Sequence, residues 1–186
     1  MAAQNKFSAF HTPVLYKETL ELLNIKPDGR YVDCTFGGGG HSKGILSALG
    51  KKGKLIAFDQ DKDAQKNLLQ DERFIFIPEN FRHIQRFLRL HDVLPVDGIL
   101  ADLGVSSFQF DTGERGFSTR FNGPLDMRMN TSQHKTAAHI LMEYDERSMH
   151  KMFEKYGEVS NAKTLAGHIV KTRKTMQLKT IDAFKV

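Results

Sequence analysis

The sequence has little of what marks secreted, metal-bound or membrane-inserted proteins. Only one of its 186 residues is a cysteine, Cys34, so an internal disulfide and a cysteine-based zinc cluster are both excluded. That usage fits a reducing compartment, and no bound metal is expected. Cys34 sits among apolar residues and reads as core filler rather than as a nucleophile. No apolar run approaches the roughly 18 residues that a membrane span needs. The start, MAAQNKFSAF, lacks the basic-then-apolar order of a signal peptide. A cytoplasmic address with no membrane partner is therefore expected. Acidic residues are also the minority: 22 Asp and Glu stand against 27 Lys and Arg, for a formal charge of +5 and a pI near 9.3. Such an excess favours polyanionic partners, although it serves solubility equally well.

About 40% of the residues are apolar, enough for a core in a chain of single-domain length. Four short β-rich runs, Tyr31 to Phe36, Lys54 to Asp59, Phe74 to Ile77 and Val96 to Leu100, read as buried strands. Helical spacing follows the first three, over His41 to Leu49, Lys62 to Leu69 and Ile84 to Leu90, and a leading helix around Val14 to Leu23 ends near Pro27, Asp28 and Gly29. Strands alternating with helices predict an α/β fold with a parallel, doubly wound sheet. After about Leu103 a loop rich in Gly, Ser, Phe and Arg runs to Met129. Helical patterning without strands then covers Ala137 to Glu143, Arg147 to Tyr156 and Asn161 to Val170. From Lys174 on, the pattern is too weak to place an element. These features divide the chain into an α/β part, 1–106, and a loop with the start of a helical insert, 107–186.

The run Asp33-Cys34-Thr35-Phe36-Gly37-Gly38-Gly39-Gly40-His41 follows the first strand and opens a helix, which is where an open α/β sheet binds its ligand. Alone it also admits the reading of a flexible loop, as the lesser alternative. It is accompanied by Phe58-Asp59-Gln60-Asp61, about 20 residues beyond the glycines, which places Asp59 at the carboxyl edge with ribose hydroxyls in reach. A dinucleotide fingerprint fails, because a frame begun at Gly37 or Gly38 ends on Ser42 or Lys43, and this argues against an NAD-linked oxidoreductase. A P-loop fails as well, since Ile45 follows Gly44. The remaining pattern, an acidic residue, a glycine loop and a downstream ribose acid, is that of enzymes holding S-adenosylmethionine.

The segments His11 to Leu15, Asp33 to His41, Asp102-Leu103-Gly104-Val105-Ser106-Ser107, Glu114 to Ser118 and Gly123-Pro124-Leu125-Asp126-Met127-Arg128-Met129 resemble the MraW/RsmH family of small-subunit (16S) ribosomal RNA cytosine-N4 methyltransferases. The likeness runs from about residue 11 to residue 170. It implies a Rossmann-like class I methyltransferase sheet, represented by its first four strands, followed by a helical insert. It implies S-adenosyl-L-methionine as cofactor and rRNA, within an assembling small subunit, as partner. The cofactor positions that match are Gly39, Gly40, His41, Asp59, Phe81, Asp102 and Gln109. Gly39, Gly40 and His41 then present donors to the methionine carboxylate at a helix start, Asp59 takes the ribose, Phe81 packs on the adenine, and Asp102 and Gln109 close the far side. Without the resemblance, His41 reads as a helix cap, Phe81 as core and Asp102 as a turn-capping acid.

Methylation at N4 of a cytosine in the decoding region demands positioning, because the amine's lone pair is delocalised into the ring. An acceptor at the end of the fourth strand suits that task, and Asp102 is the candidate catalytic residue. Phe108 or Phe110 is the candidate stacking face. The stretch Phe108 to Met129 interleaves Phe108, Phe110, Phe117 and Phe121 with Arg115, Arg120 and Arg128, as suits a splayed RNA base, and equally a structural loop. Lys163, Lys171, Arg173 and Lys174 are candidate phosphate contacts or simply a solvated face. The family sheet continues past the insert, so Val96 to Leu100 is expected to carry an unpaired edge. A chain of this extent that binds cofactor or RNA without turnover is the alternative expectation.

Overall fold

A computed structural model describes residues 13–185. The chain divides into two compact units, Met1–Leu103 and Gly104–Val186. The sequence-based division at 106/107 falls within the second.

In the first unit, helix α1 (Tyr16–Leu23) precedes strand β1 (Arg30–Asp33). Helix α2 (Gly40–Ala48), strand β2 (Lys54–Phe58) and strand β3 (Phe74–Ile77) follow, then helix α3 (Ile84–Leu90) and strand β4 (Gly98–Leu100). All neighbouring strands are parallel, in the order β3-β2-β1-β4. Successive residues of a strand face opposite sides of a sheet, and both sides of this one are covered. Val32, Ile56, Phe58 and Ile77 pack with Leu88 of α3, whereas Tyr31 and Leu55 pack with Ile45, Leu46 and Leu49 around α2. The doubly wound α/β fold expected from the sequence is thus present. β4 is the outer strand among the described residues, and its Ile99 is 53% exposed.

Several elements are shorter than the sequence suggests. β1 stops at Asp33, although pairing persists through Cys34 N to Leu100 O (2.8 Å) and Phe36 N to Phe58 O (2.9 Å). The glycines then turn the chain away. Over residues 62–69 a 3-10 turn, Lys62–Asn67, replaces the expected helix. Only Ala64 of that turn is buried, too little apolar anchorage for an amphipathic helix. β4 begins at Gly98, because Asp97 is engaged at the strand's entry. Its carboxylate accepts from Arg30 N (2.9 Å) and from Lys26 Nζ (2.9 Å), which together hold its carboxyl below the usual range. The motif residues His11 and Thr12 lie outside the described residues.

Cys34 is buried in the sheet core, and burial pushes its thiol up to about 11. A thiolate is the reacting species. An aromatic disulfide reagent at neutral pH is therefore expected to label native protein far more slowly than protein in denaturant. Equal rates would contradict this placement.

The second unit carries helices α4 (Ser107–Asp111), α5 (Ala137–Glu143), α6 (Glu146–Gly157), α7 (Ala162–Thr172) and α8 (Ile181–Lys185). α5 to α7 answer the helical periods read from the sequence. Thr136 caps α5 and Asp145 caps α6, its carboxylate accepting from Ser148 N at 2.8 Å. Met149, Ala166, Ile169 and Leu141 form the centre of the core, joined by Leu125, Leu178 and Ile181. The last two belong to the stretch that carried no pattern. Leu125 N donates to Lys179 O (2.9 Å) and Pro124 bridges to Thr180, pairings distant in sequence that no local period reveals.

Candidate functional site

From β1 the chain moves outward to β2 and β3 on one side, then returns to β4 on the other. Ligands of open α/β sheets bind in the crevice beyond the carboxyl ends of the strands at such a reversal. The glycine loop leaves β1 there, Asp102 lies just past β4, Asp59 follows β2, and Phe81 follows β3 in a 3-10 turn, Phe81–His83.

The loop is fastened to β2 by Asp59. One oxygen of its carboxylate accepts from Gly37 N (2.7 Å) and the other from Asp61 N (2.8 Å). Asn67 Nδ2 donates to Gly37 O (3.0 Å), closing the clasp. Gly39 lies in the left-handed region (φ 74°), which favours glycine, and caps α2. A β-carbon on Gly38 would meet no atom within 4 Å, so the loop presents open backbone on that side. Gly40 answers a different need: a β-carbon there would stand 2.3 Å from the Pro13 ring.

A second clasp joins the ends of β1 and β4. Asp33 is fully buried, and its carboxylate accepts from Thr35 N (2.9 Å) and Ser42 Oγ (2.7 Å). Burial pushes its carboxyl up, against the opposing pull of those two bonds. The Thr35 hydroxyl donates to Asp33 (3.5 Å) and accepts from Asp102 N (2.8 Å). Asp102 is thereby tied through its backbone, leaving an exposed carboxylate at the crevice. Thr35 and Ser42 are not distinguished in the sequence as site residues. Their only signal is a hydroxyl on each flank of the glycine run.

His41 is buried at the start of α2, its ring stacked near Tyr16 (centroids 6.0 Å apart), and its Nε2 has no hydrogen-bond partner. A buried nitrogen left so is costly. Phe81 is not core: it is 36% exposed, on a turn capped by Asn80, which in turn reaches Gln60 Oε1 at 3.1 Å. Gly39, Gly40, His41, Asp59 and Asp102 thus all lie in the first unit on the segments that leave β1, β2 and β4, and Phe81 stands past the end of β3. Gln109 belongs to the second unit, where it is buried as the partner of Ser106 in the capping box of α4. Among the described residues no cluster suits a metal ion and no helix is long and apolar enough to cross a membrane.

Three of the basic residues named as RNA contacts serve the protein instead. Arg115 is buried, donating to the carbonyls of Arg128 (2.9 Å) and Met129 (3.3 Å). Arg128 forms a two-pronged pair with Asp126 (2.8 and 2.6 Å). Arg173 Nη1 donates to Leu141 O (2.9 Å) and Tyr144 O (2.6 Å), closing the carboxyl end of α5. Loop carbonyls without strand partners need donors, and these guanidinium groups supply them. Phe108, Phe110 and Phe121 remain largely exposed.

The profile of the MraW methylase family matches residues 8–185. The chain belongs to that family. Among curated MraW relatives, the ribosomal RNA small subunit methyltransferase H of Flavobacterium johnsoniae is 57% identical over 176 residues, covering 95% of this chain and 58% of that protein. The protein of the same name from Bacteroides thetaiotaomicron is 54% identical over 175 residues, covering 94% and 58%. That of Parabacteroides distasonis is 50% identical over 182 residues, covering 97% and 60%. The chain therefore spans about three fifths of the length of the MraW relatives it matches.

Proposed function

We propose that this chain forms the donor-binding part of a methyltransferase that modifies the N4 amine of a cytosine in the decoding region of small-subunit (16S) rRNA. The donor is S-adenosyl-L-methionine, and the substrate is rRNA in an assembling subunit in the cytoplasm. The observation that carries the reading is the pair of clasps at the strand reversal: Asp59 on the glycine loop, and Asp33 with Thr35 on Asp102. The residues present fit the donor. Gly38 offers open backbone just ahead of a helix start, Gly39 takes the left-handed conformation that caps that helix, His41 has an unanswered buried nitrogen, Asp59 stands at the edge for a ribose, and Phe81 exposes a ring for adenine. The family pattern also includes Gln109, which stands in the second unit beside the exposed Phe108 and Phe110.

The donor supplies a methyl group made electrophilic by its sulfonium. Asp102 accepts a hydrogen bond from the cytosine amine, orients its lone pair, and stabilises the positive charge that develops on nitrogen as the carbon–nitrogen bond forms and the donor's carbon–sulfur bond breaks, the electron pair leaving with sulfur as a neutral thioether. The amine's surplus proton then leaves to solvent. A group of this kind is worth on the order of 100- to 1,000-fold in kcat. Asp102→Ala is accordingly expected to lower kcat by about 100-fold, while Asp102→Asn keeps an acceptor and loses less.

The experiment is transfer of labelled methyl to small-subunit rRNA, with nucleosides resolved after digestion, by this chain and by a form extended to the length of its relatives. Transfer to N4 of cytosine supports the reading. Transfer by neither form, or to another atom, contradicts it. The second reading, binding without turnover by this chain, draws on β4 being the outer strand with Ile99 exposed, and is met if only the extended form transfers.

A further inference from the structure

The charge of this protein is not spread along it. From Val159 to Val186 there are six basic residues and one acidic residue, Asp182, while residues 1–158 carry 21 of each, so the whole +5 lies in the last stretch. Of the six, Arg173 is spent on the end of α5, and Lys185 donates to Thr119 O and pairs with Asp182. Lys163, Lys171, Lys174 and Lys179 are exposed and make no ion pair among the described residues. Lys163 and Lys171 are eight positions apart on α7, which puts them on one face about 12 Å apart along the axis. Lys174 follows in the next turn, and Thr164, His168 and Thr175 expose polar groups along the same course. Ala166 and Ile169 meanwhile bind the opposite face of α7 to the core, a firm base for Lys163, Lys171 and Lys174, and Leu178 and Ile181 anchor the stretch that carries Lys179.

A solvated helix of this kind ordinarily carries its charges in pairs of opposite sign, as α6 does with Glu146, Arg147, Lys151, Glu154 and Lys155. α7 has no carboxylate of its own. We propose that Lys163, Lys171, Lys174 and Lys179 form a phosphate-binding strip that holds single-stranded RNA by its backbone. The inference rests on the rRNA reading above and adds the surface that holds the RNA. The strip carries no base readout; it fixes where the strand lies. A counter-charge beside α7 is Glu146 of α6, whose Oε1 would be 3.4 Å from a β-carbon on Gly167, one turn from both Lys163 and Lys171. Glu146 opposes phosphate there, and its neutralisation tightens binding.

The test is fluorescence anisotropy of a short labelled single-stranded RNA with the full chain over a range of salt. Four phosphate contacts contribute about 0.7 each to the log–log salt slope on a single strand, equivalent to about a 50-fold loss of affinity between about 50 and 200 mM salt. The K163A/K171A/K174A/K179A variant is expected to lower the slope by about 3, and Glu146→Gln to raise affinity. A control with equal loss of charge, K51A/K52A/K151A/K155A, is expected to keep the slope. All variants alter exposed side chains, and a thermal scan verifies their folding. An unchanged slope in the strip variant, an equal fall in the control, or binding of phosphatidylserine vesicles without binding of RNA would overturn the strip. Calorimetry with S-adenosylmethionine on the same variants is expected to show undiminished donor affinity; this arm reads the methyltransferase assignment separately from the strip.

Discussion

Asp59→Ala is expected to weaken binding of S-adenosylmethionine by about a hundredfold, close to 2.7 kcal/mol by calorimetry. The substitution removes two acceptors together, one for Gly37 N and one for Asp61 N. Each bond to a carboxylate is worth about 1.5–3 kcal/mol. Loss of the first frees the glycine loop from the end of β2, so the donor must order that loop as it binds. Any contact of the same carboxylate with ribose is lost as well. Asp59→Asn offers one oxygen in place of two and is expected to fall between. Wild-type affinity in Asp59→Ala would mean that the loop stands without its clasp and that no donor touches this carboxylate.

The second large effect is one of stability. Met149 is fully buried at the centre of the second unit, among Leu141, Ala166 and Ile169. Truncation of such a side chain costs about 2–5 kcal/mol, lost apolar transfer plus the void that remains. A small domain holds only about 5–15 kcal/mol in total. Met149→Ala is thus expected to lower the unfolding transition of the helical unit by about 10 °C or more, while Met149→Leu, of similar volume, costs about 1 kcal/mol. A transition within about 2 °C of wild type would show that α6 and α7 are not packed through this residue.

The parts of the fold that were legible in the sequence share one property: a local period tied to burial. The four apolar runs gave parallel strands in the doubly wound arrangement, the fourth of them with Ile99 exposed, and α5, α6 and α7 fell on their apolar stripes. α8 and the Pro124–Thr180 bridge were not legible, because they exist only through contacts across more than fifty residues. The 3-10 turn at Lys62–Asn67 was misread as a longer helix because its polar residues fit either geometry. At the site, the glycines and Asp59 stood out by spacing. Asp33, Thr35 and Ser42 hold Asp102 in place, and nothing in a run of small and polar residues distinguishes such a network from a loop. Arg115, Arg128 and Arg173 show the converse: their charge suggested an external partner, whereas each answers carbonyls or a carboxylate of the protein itself.

The central claim is that the donor lies on the glycine loop at the strand reversal of the first unit. Nuclear magnetic resonance of isotope-labelled chain during titration with S-adenosylmethionine tests it most directly. The expected result is saturable shifts at the amides of Gly37 to His41, Asp59, Phe81 and Asp102, with the α6 and α7 core around Met149 and Ile169 unmoved. Saturable shifts confined to residues away from the glycine loop, or none at millimolar donor, would contradict it.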